Sequence, residues 1–182
     1  MSITKQRQQS SYLALAERFG YTSPMQSPRV EKVIVSSGVG KKRDKKQIEL
    51  IEDRLAKITG QKSVERAAKI SIASFKVREG DTVGLQVTLR GPRMFDFLDK
   101  LIHIALPRTR DFRGLSAKAI DDMGNITVGI KEHTIFPETS DEDIKDVFGF
   151  AVTIVTSAKS KPEAEAFFRH LGLPLRSNES IK

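Results

Sequence analysis

The chain has 182 residues, 38% of them hydrophobic and 30% charged, with a net charge of +8 and no cysteine. This length supports one sizeable core, the composition excludes both a membrane span and a disordered chain, and the lack of thiols excludes disulfides, thiolate metal sites and cysteine nucleophiles. The positive excess is one-sided, 18 bases against 9 acids up to Arg90 and 13 against 14 beyond it, which points to a polyanionic partner met mainly through the first half.

At the N-terminus no apolar stretch is long enough for the core of a signal peptide, so a cytosolic address is expected. Ser10 or Ser11 can cap a first helix that runs through Leu13, Ala16 and Phe19 and stops at Gly20. After a Ser/Pro-rich connector, Val30 to Val35 is β-branched and reads as a strand. It ends in Ser36-Ser37-Gly38-Val39-Gly40, followed by a turn loaded with Lys41, Lys42, Arg43, Lys45 and Lys46.

Asp44 and Gln47 resemble a capping box, and Ile48, Ile51, Leu55 and Ile58 recur at helical spacing up to Gly60. Val64 to Ala67 is compatible with a short strand. Gly84 to Arg90 alternates, with Leu85, Val87 and Leu89 on one face and Gln86, Thr88 and Arg90 on the other. Gly91-Pro92 opens a helix with Met94, Leu98, Leu101, Ile102 and Ala105 inward, expected to end before Pro107.

An irregular stretch to Asn125 precedes strands at Ile126 to Ile130 and Phe150 to Thr156. Between them, Asp141-Glu142-Asp143 suits the first turn of a short helix. A last helix is expected between a Ser160/Glu163 capping box and Gly172. This order lacks the strict alternation of a parallel doubly wound fold. It predicts an α+β domain over residues 1–182, with an antiparallel or mixed sheet and helices packed on one face.

The glycines after the first strand invite a phosphate-loop reading, and with it the alternative of a phosphate- or nucleotide-handling enzyme using the Gly38 to Lys46 turn. The GxxxxGK[ST] spacing would need glycine at Val35 and Ser or Thr at Lys42, and has neither. His103, His133 and His170 lie too far apart in sequence for a recognisable metal motif, and no nucleophile with a base partner stands out. No cofactor is expected.

Two basic loops remain. Ala68 to Thr82 is long for a connection inside a compact domain and carries Lys69, Lys76 and Arg78 around Ser71 and Phe75. The cations suit phosphates, while the ring of Phe75 either meets a nucleotide or folds back onto the sheet. Its composition predicts a mobile excursion rather than a core element. Pro107 to Gly114 packs Arg108, Arg110 and Arg113 together, with Asp111 positioned to tie one guanidinium down.

Several stretches together resemble the bacterial-type large-subunit ribosomal protein L five family. They include Val35-Ser-Ser-Gly-Val-Gly40, Ile58-Thr-Gly-Gln-Lys62, Ser71-Ile-Ala-Ser-Phe-Lys76, Val87-Thr-Leu-Arg-Gly91, Ala105-Leu-Pro-Arg-Thr-Arg-Asp-Phe-Arg-Gly114 and Ile135-Phe-Pro-Glu138. The resemblance implies a structural, non-enzymatic protein of the cytoplasmic ribosome, seated in the central protuberance. It implies 5S ribosomal RNA, large-subunit ribosomal RNA, peptidyl-site transfer RNA and neighbouring ribosomal proteins as partners, with no membrane and no homo-oligomer.

Carried over by position, Ser36, Gln61, Thr88 and Arg90 would face 5S RNA. Lys69, Ser71, Phe75, Lys76 and Arg78 would face transfer RNA. Lys41, Lys42, Arg43, Arg108, Arg110 and Arg113 would supply further ribosomal RNA contacts. Ser36 stands where the family usually has asparagine, Ile70 where lysine is common, and Phe148-Gly149-Phe150 where Arg-Gly-Met is usual.

Overall fold

The computed structural model describes residues 2–40, 45–110, 112–140 and 147–176. In chain order the elements are α1 (Ile3–Phe19), β1 (Val30–Gly38), α2 (Lys45–Thr59), β2 (Val64–Ala67), β3 (Thr82–Leu89), α3 (Pro92–Lys100), β4 (Ile126–Ile130), β5 (Phe150–Thr156) and α4 (Lys161–Leu171). The strands form an antiparallel sheet in the order β2-β3-β1-β5-β4. The α+β class expected from the element order is the one observed.

Two compact units are distinguishable, residues 34–89 with 129–152, and residues 1–33, 90–128 and 153–182. In the first of these, β3 keeps the predicted register, with Leu85, Val87 and Leu89 buried and Gln86 and Thr88 half-buried on the opposite face. Each fully buried aliphatic side chain contributes about 1.5–3 kcal/mol. Ile51, Leu55 and Ile58 of α2 are buried, and the helix packs on β3. Gly60, at φ +68°, ends α2 by donating to the Ala56 carbonyl, and Thr59 Oγ1 ties the turn by donating to the carbonyls of Leu55 (2.7 Å) and Gln61 (3.0 Å). The Asp44 cap and the acidic turn at Asp141 to Asp143 lie outside the described residues.

In the other unit, α1 begins seven residues before Ser10, the earlier of the two caps expected from sequence. Ser2 is its N-cap and accepts from the Lys5 N–H, while Asp99, on α3, accepts the N–H groups of Ile3 (3.0 Å) and Thr4 (2.8 Å) and the Thr4 hydroxyl. These bonds satisfy donors that a helix start leaves open. Burial alone would raise the Asp99 carboxyl, but the hydrogen bonds from Ser2, Thr4 and Ile3 hold it below its ordinary value. Arg7 Nη1 donates to the Leu171 carbonyl, and His170 Nε2 donates to the Arg7 carbonyl at 2.8 Å, fastening α1 to α4.

Pro107 does not end the α3 helix. The chain widens into a π turn at Leu101–Ala105, and the Leu106 N–H reaches back to the Leu101 carbonyl before one more helical turn, Leu106–Arg108. The wider turn accommodates a ring that would clash with the carbonyl four residues back in a regular helix. Nor do Ser160 and Glu163 form a capping box. The Ser160 hydroxyl makes no cap bond, and Glu163 accepts instead from the Lys159 N–H (2.7 Å) and from the Tyr21 hydroxyl. Burial, and then Glu163, push the Tyr21 phenol far above its ordinary range, so it stays a donor.

Candidate nucleic-acid interface

Strand alternation decides what the sheet presents to solvent. Val35 and Ser37 point inward from β1, Ser37 Oγ donating to the Gly149 carbonyl at 2.9 Å, so Ser36 points the other way and is half-exposed. Thr88 does the same on β3. The hydroxyls of Ser36 and Thr88 have no partner among the described residues. Each keeps one donor and its acceptor lone pairs for an outside group.

Gln61 sits beyond Val64, the first residue of β2, and its Nε2 donates to the Thr88 carbonyl at 3.2 Å. It thereby carries the β2–β3 ladder past its last strand pair, Val64 opposite Gln86. The bond fixes the Gln61 amide and leaves Oε1 as its open acceptor. Sequence reasoning picks Gln61 as a contact but gives no sign of this tether. Arg90 follows β3 directly, is exposed, and has no side-chain partner among the described residues.

The edge strand β2 adds residues that the sequence reading leaves out. Val64 pairs with Gln86 and Arg66 with Gly84, so Val64 and Arg66 share the face of Gln86 and Thr88. Arg66 Nε donates to Gln86 Oε1 at 2.7 Å. Glu65 lies on the opposite face and accepts from Thr82 Oγ1 at 2.6 Å.

The long basic loop is exposed, as its composition predicts, but it has a frame of its own. The Ala68 N–H donates to the Asp81 carbonyl and the Gly80 N–H to the Ala68 carbonyl, closing the base. Higher up, Ile72 and Val77 exchange both backbone hydrogen bonds across the turn Ala73–Phe75, and Lys76 closes it with φ +52°. Arg78 donates its N–H to Asp81 Oδ2 (2.9 Å), and Ser71 Oγ accepts the Glu79 N–H (2.9 Å).

Ser71 is therefore a frame residue whose O–H is still able to donate outward. Lys69, Lys76 and Arg78 are exposed. So are Ile70 at 71% and Phe75 at 73%, above a groove of about 1010 Å³ lined also by Ile72, Val77 and Phe148. The Phe75 ring lies outside the core, on the same groove as Phe148.

In the arginine-rich loop, Arg108, Arg110 and Arg113 are exposed, with no side-chain hydrogen bond or ion pair among the described residues. Its end is pinned by the C-terminal segment: Leu115 donates its N–H to the Pro174 carbonyl (2.7 Å), and Arg176 Nε donates to the carbonyls of Arg113 and Gly114. Gly114 adopts φ +88°, a conformation that strains other residues, and a Cβ there would sit tightly, 3.1 Å from Arg176 Cγ and from the Pro174 carbonyl. Lys41, Lys42, Arg43 and Asp111 lie outside the described residues.

The phosphate-loop alternative lacks the required spacing, and in the described part of that turn the Val39 N–H donates to the Val83 carbonyl at 3.0 Å and is not open to an anion. Among the described residues no cluster of His, Asp and Glu is arranged to hold a metal ion, and no helix is long and apolar enough to cross a membrane.

Comparison with known proteins gives two adjoining family matches, to "Ribosomal protein L5" over residues 23–78 and to the C-terminus of the same ribosomal protein family over residues 82–175. The chain is 48% identical over 164 residues to the large ribosomal subunit protein uL5 of Desulfotalea psychrophila, covering 90% of this chain and 92% of that one. It is 50% identical over 163 residues to the protein of the same name from Ureaplasma urealyticum, covering 89% of each, and 47% identical to that of an Anaeromyxobacter species, covering 89% and 91%.

Proposed function

The chain belongs to the ribosomal protein L5 family, and from that premise we propose that it binds 5S ribosomal RNA through the outer face of its sheet and helps attach that RNA to the large subunit. It is a ribosomal protein of the large subunit, in the cytoplasm, and not an enzyme. The finer reading seats it in the central protuberance, in contact with large-subunit RNA and with neighbouring ribosomal proteins.

One observation carries the 5S assignment. Ser36 and Thr88 hold unpartnered hydroxyls on strands whose alternate residues are buried, and Gln61 is tethered to Thr88 with its acceptor open. Short polar groups on stiff backbone suit base edges and 2′-hydroxyls, which require defined geometry. Arg90 adds a guanidinium for phosphate. The Ala68–Asp81 loop, with its exposed cations and Phe75, is the surface for transfer RNA in the peptidyl site, and Arg108, Arg110 and Arg113, with Lys41, Lys42 and Arg43, meet other ribosomal RNA.

The test is to mix the purified, RNA-free protein with total cellular RNA, recover the complex, and identify the RNA bound. The reading expects 5S RNA in near-equimolar amount. Bulk RNA or none would overturn it.

A further inference from the structure

The geometry points to Arg66 as a phosphate-binding residue, held in place by Gln86, that extends the RNA-facing surface of the sheet onto its edge strand. The inference rests on the proposed binding of 5S RNA to that face. It adds a binding residue that neither the arginine clusters nor the motifs of the sequence single out.

Four observations carry it. The pairing of Arg66 with Gly84 and of Val64 with Gln86 puts the Arg66 side chain on the face that bears Thr88 and Gln86. Gly84 has no side chain there to block the path, so the arginine stem crosses to Gln86, where Nε donates at 2.7 Å. That single bond uses the inner nitrogen of the fork and leaves both Nη groups, which meet no acid or carbonyl among the described residues. The one acid of β2, Glu65, lies on the opposite face and is bonded to Thr82.

The face therefore offers the Arg66 Nη donors and the Gln86 amide N–H groups in line with the Thr88 hydroxyl. An exposed arginine loses side-chain entropy when it binds, and a guanidinium already held at Nε has less to lose. Two parallel Nη donors match two oxygens of one phosphate. A β2 residue committed to the fold would be buried or paired to an acid, whereas all four residues of β2 are exposed.

The test is a filter-binding titration with 5S RNA at several salt concentrations, on the full-length protein and on Arg66→Ala, Arg66→Lys, Gln86→Leu and Arg90→Ala, with melting curves for each. Arg66→Ala is expected to lose affinity about tenfold. Its plot of log affinity against log salt should be shallower by about 0.7–0.9, the loss of one neutralised phosphate. Arg66→Lys should keep the wild-type salt slope with a smaller loss, because the charge remains without the fork. Gln86→Leu should lose about threefold at unchanged slope, since it frees the arginine without removing it.

If Arg66→Ala keeps wild-type affinity and slope while Arg90→Ala weakens binding, the inference is wrong and the 5S reading stands. An affinity loss in Arg66→Ala with an unchanged slope would also overturn it, because a packing role would not alter counterion release. Failure of the wild-type protein to prefer 5S RNA would overturn the underlying reading, and the inference with it.

Discussion

The outer face of β3 and the Ala68–Asp81 loop are both exposed and rich in donors, yet they are built by opposite means. On β3, Thr88 stands between Val87 and Leu89, both buried, so its position is set by packing beneath it. In the loop nearly every side chain is outside, and the shape comes from backbone bonds between Ala68 and Asp81 and between Ile72 and Val77. The first construction fixes a few short polar groups accurately. The second carries long cations and apolar rings outward on a hydrogen-bonded frame with little beneath it, which suits a contact that must form and release.

The comparison breaks first at Arg90. Arg90→Ala should weaken 5S RNA binding by about 1.5–3 kcal/mol, the range for hydrogen bonds to a charged group, and Lys159→Ala should leave it unchanged in the same filter-binding assay. Equal losses would mean that bulk charge, not the sheet face, governs affinity.

A second variant separates loss of fold from loss of contact. Asp99→Ala should destabilise the protein by about 1–2 kcal/mol through the lost cap of α1, read by chemical denaturation, with 5S RNA affinity preserved well below the melting temperature. The pH dependence follows from the lowered Asp99 carboxyl. Because the folded state holds this group below its unfolded value near 3.9, its stabilisation is complete above that value and is lost as pH falls through the lowered one. Asp99→Ala should therefore show a flatter decline in stability on acidification below about pH 4.

Thr88→Val removes a hydroxyl and keeps the shape. It should reduce 5S RNA affinity by about 1 kcal/mol and leave the melting temperature within about 2 °C, since the residue is half-exposed and valine suits a strand. A large drop in melting temperature would show that Thr88 supports the core.

Much of this division is legible in the sequence because alternation is local. β4 and β5 have the bounds that their apolar pattern predicts, and Thr88 points outward as its neighbours require. The failures are long-range. The start of α1 depends on Asp99, 96 residues from Ile3, and a polar N-terminal run carries no trace of it. Glu163 reads as a local cap in the sequence, whereas its hydroxyl partner is Tyr21, 142 residues away. In the site, the pairing of Arg66 with Gln86 needs the register of β2 on β3, which slips between Arg66 and Ala67. The frame of the basic loop rests on backbone bonds, and those leave no hydrophobic period to read.

The most direct test of two separate surfaces is one variant in two assays. Replacing residues 69–79 by a two-residue turn removes the exposed part of the loop and keeps Ala68 and Asp81, so stability should change little. The account predicts 5S RNA affinity of the free protein within about twofold of wild type and a clear fall in peptidyl-site transfer RNA occupancy on ribosomes assembled with the variant. Loss of 5S RNA affinity with transfer RNA occupancy intact would contradict it.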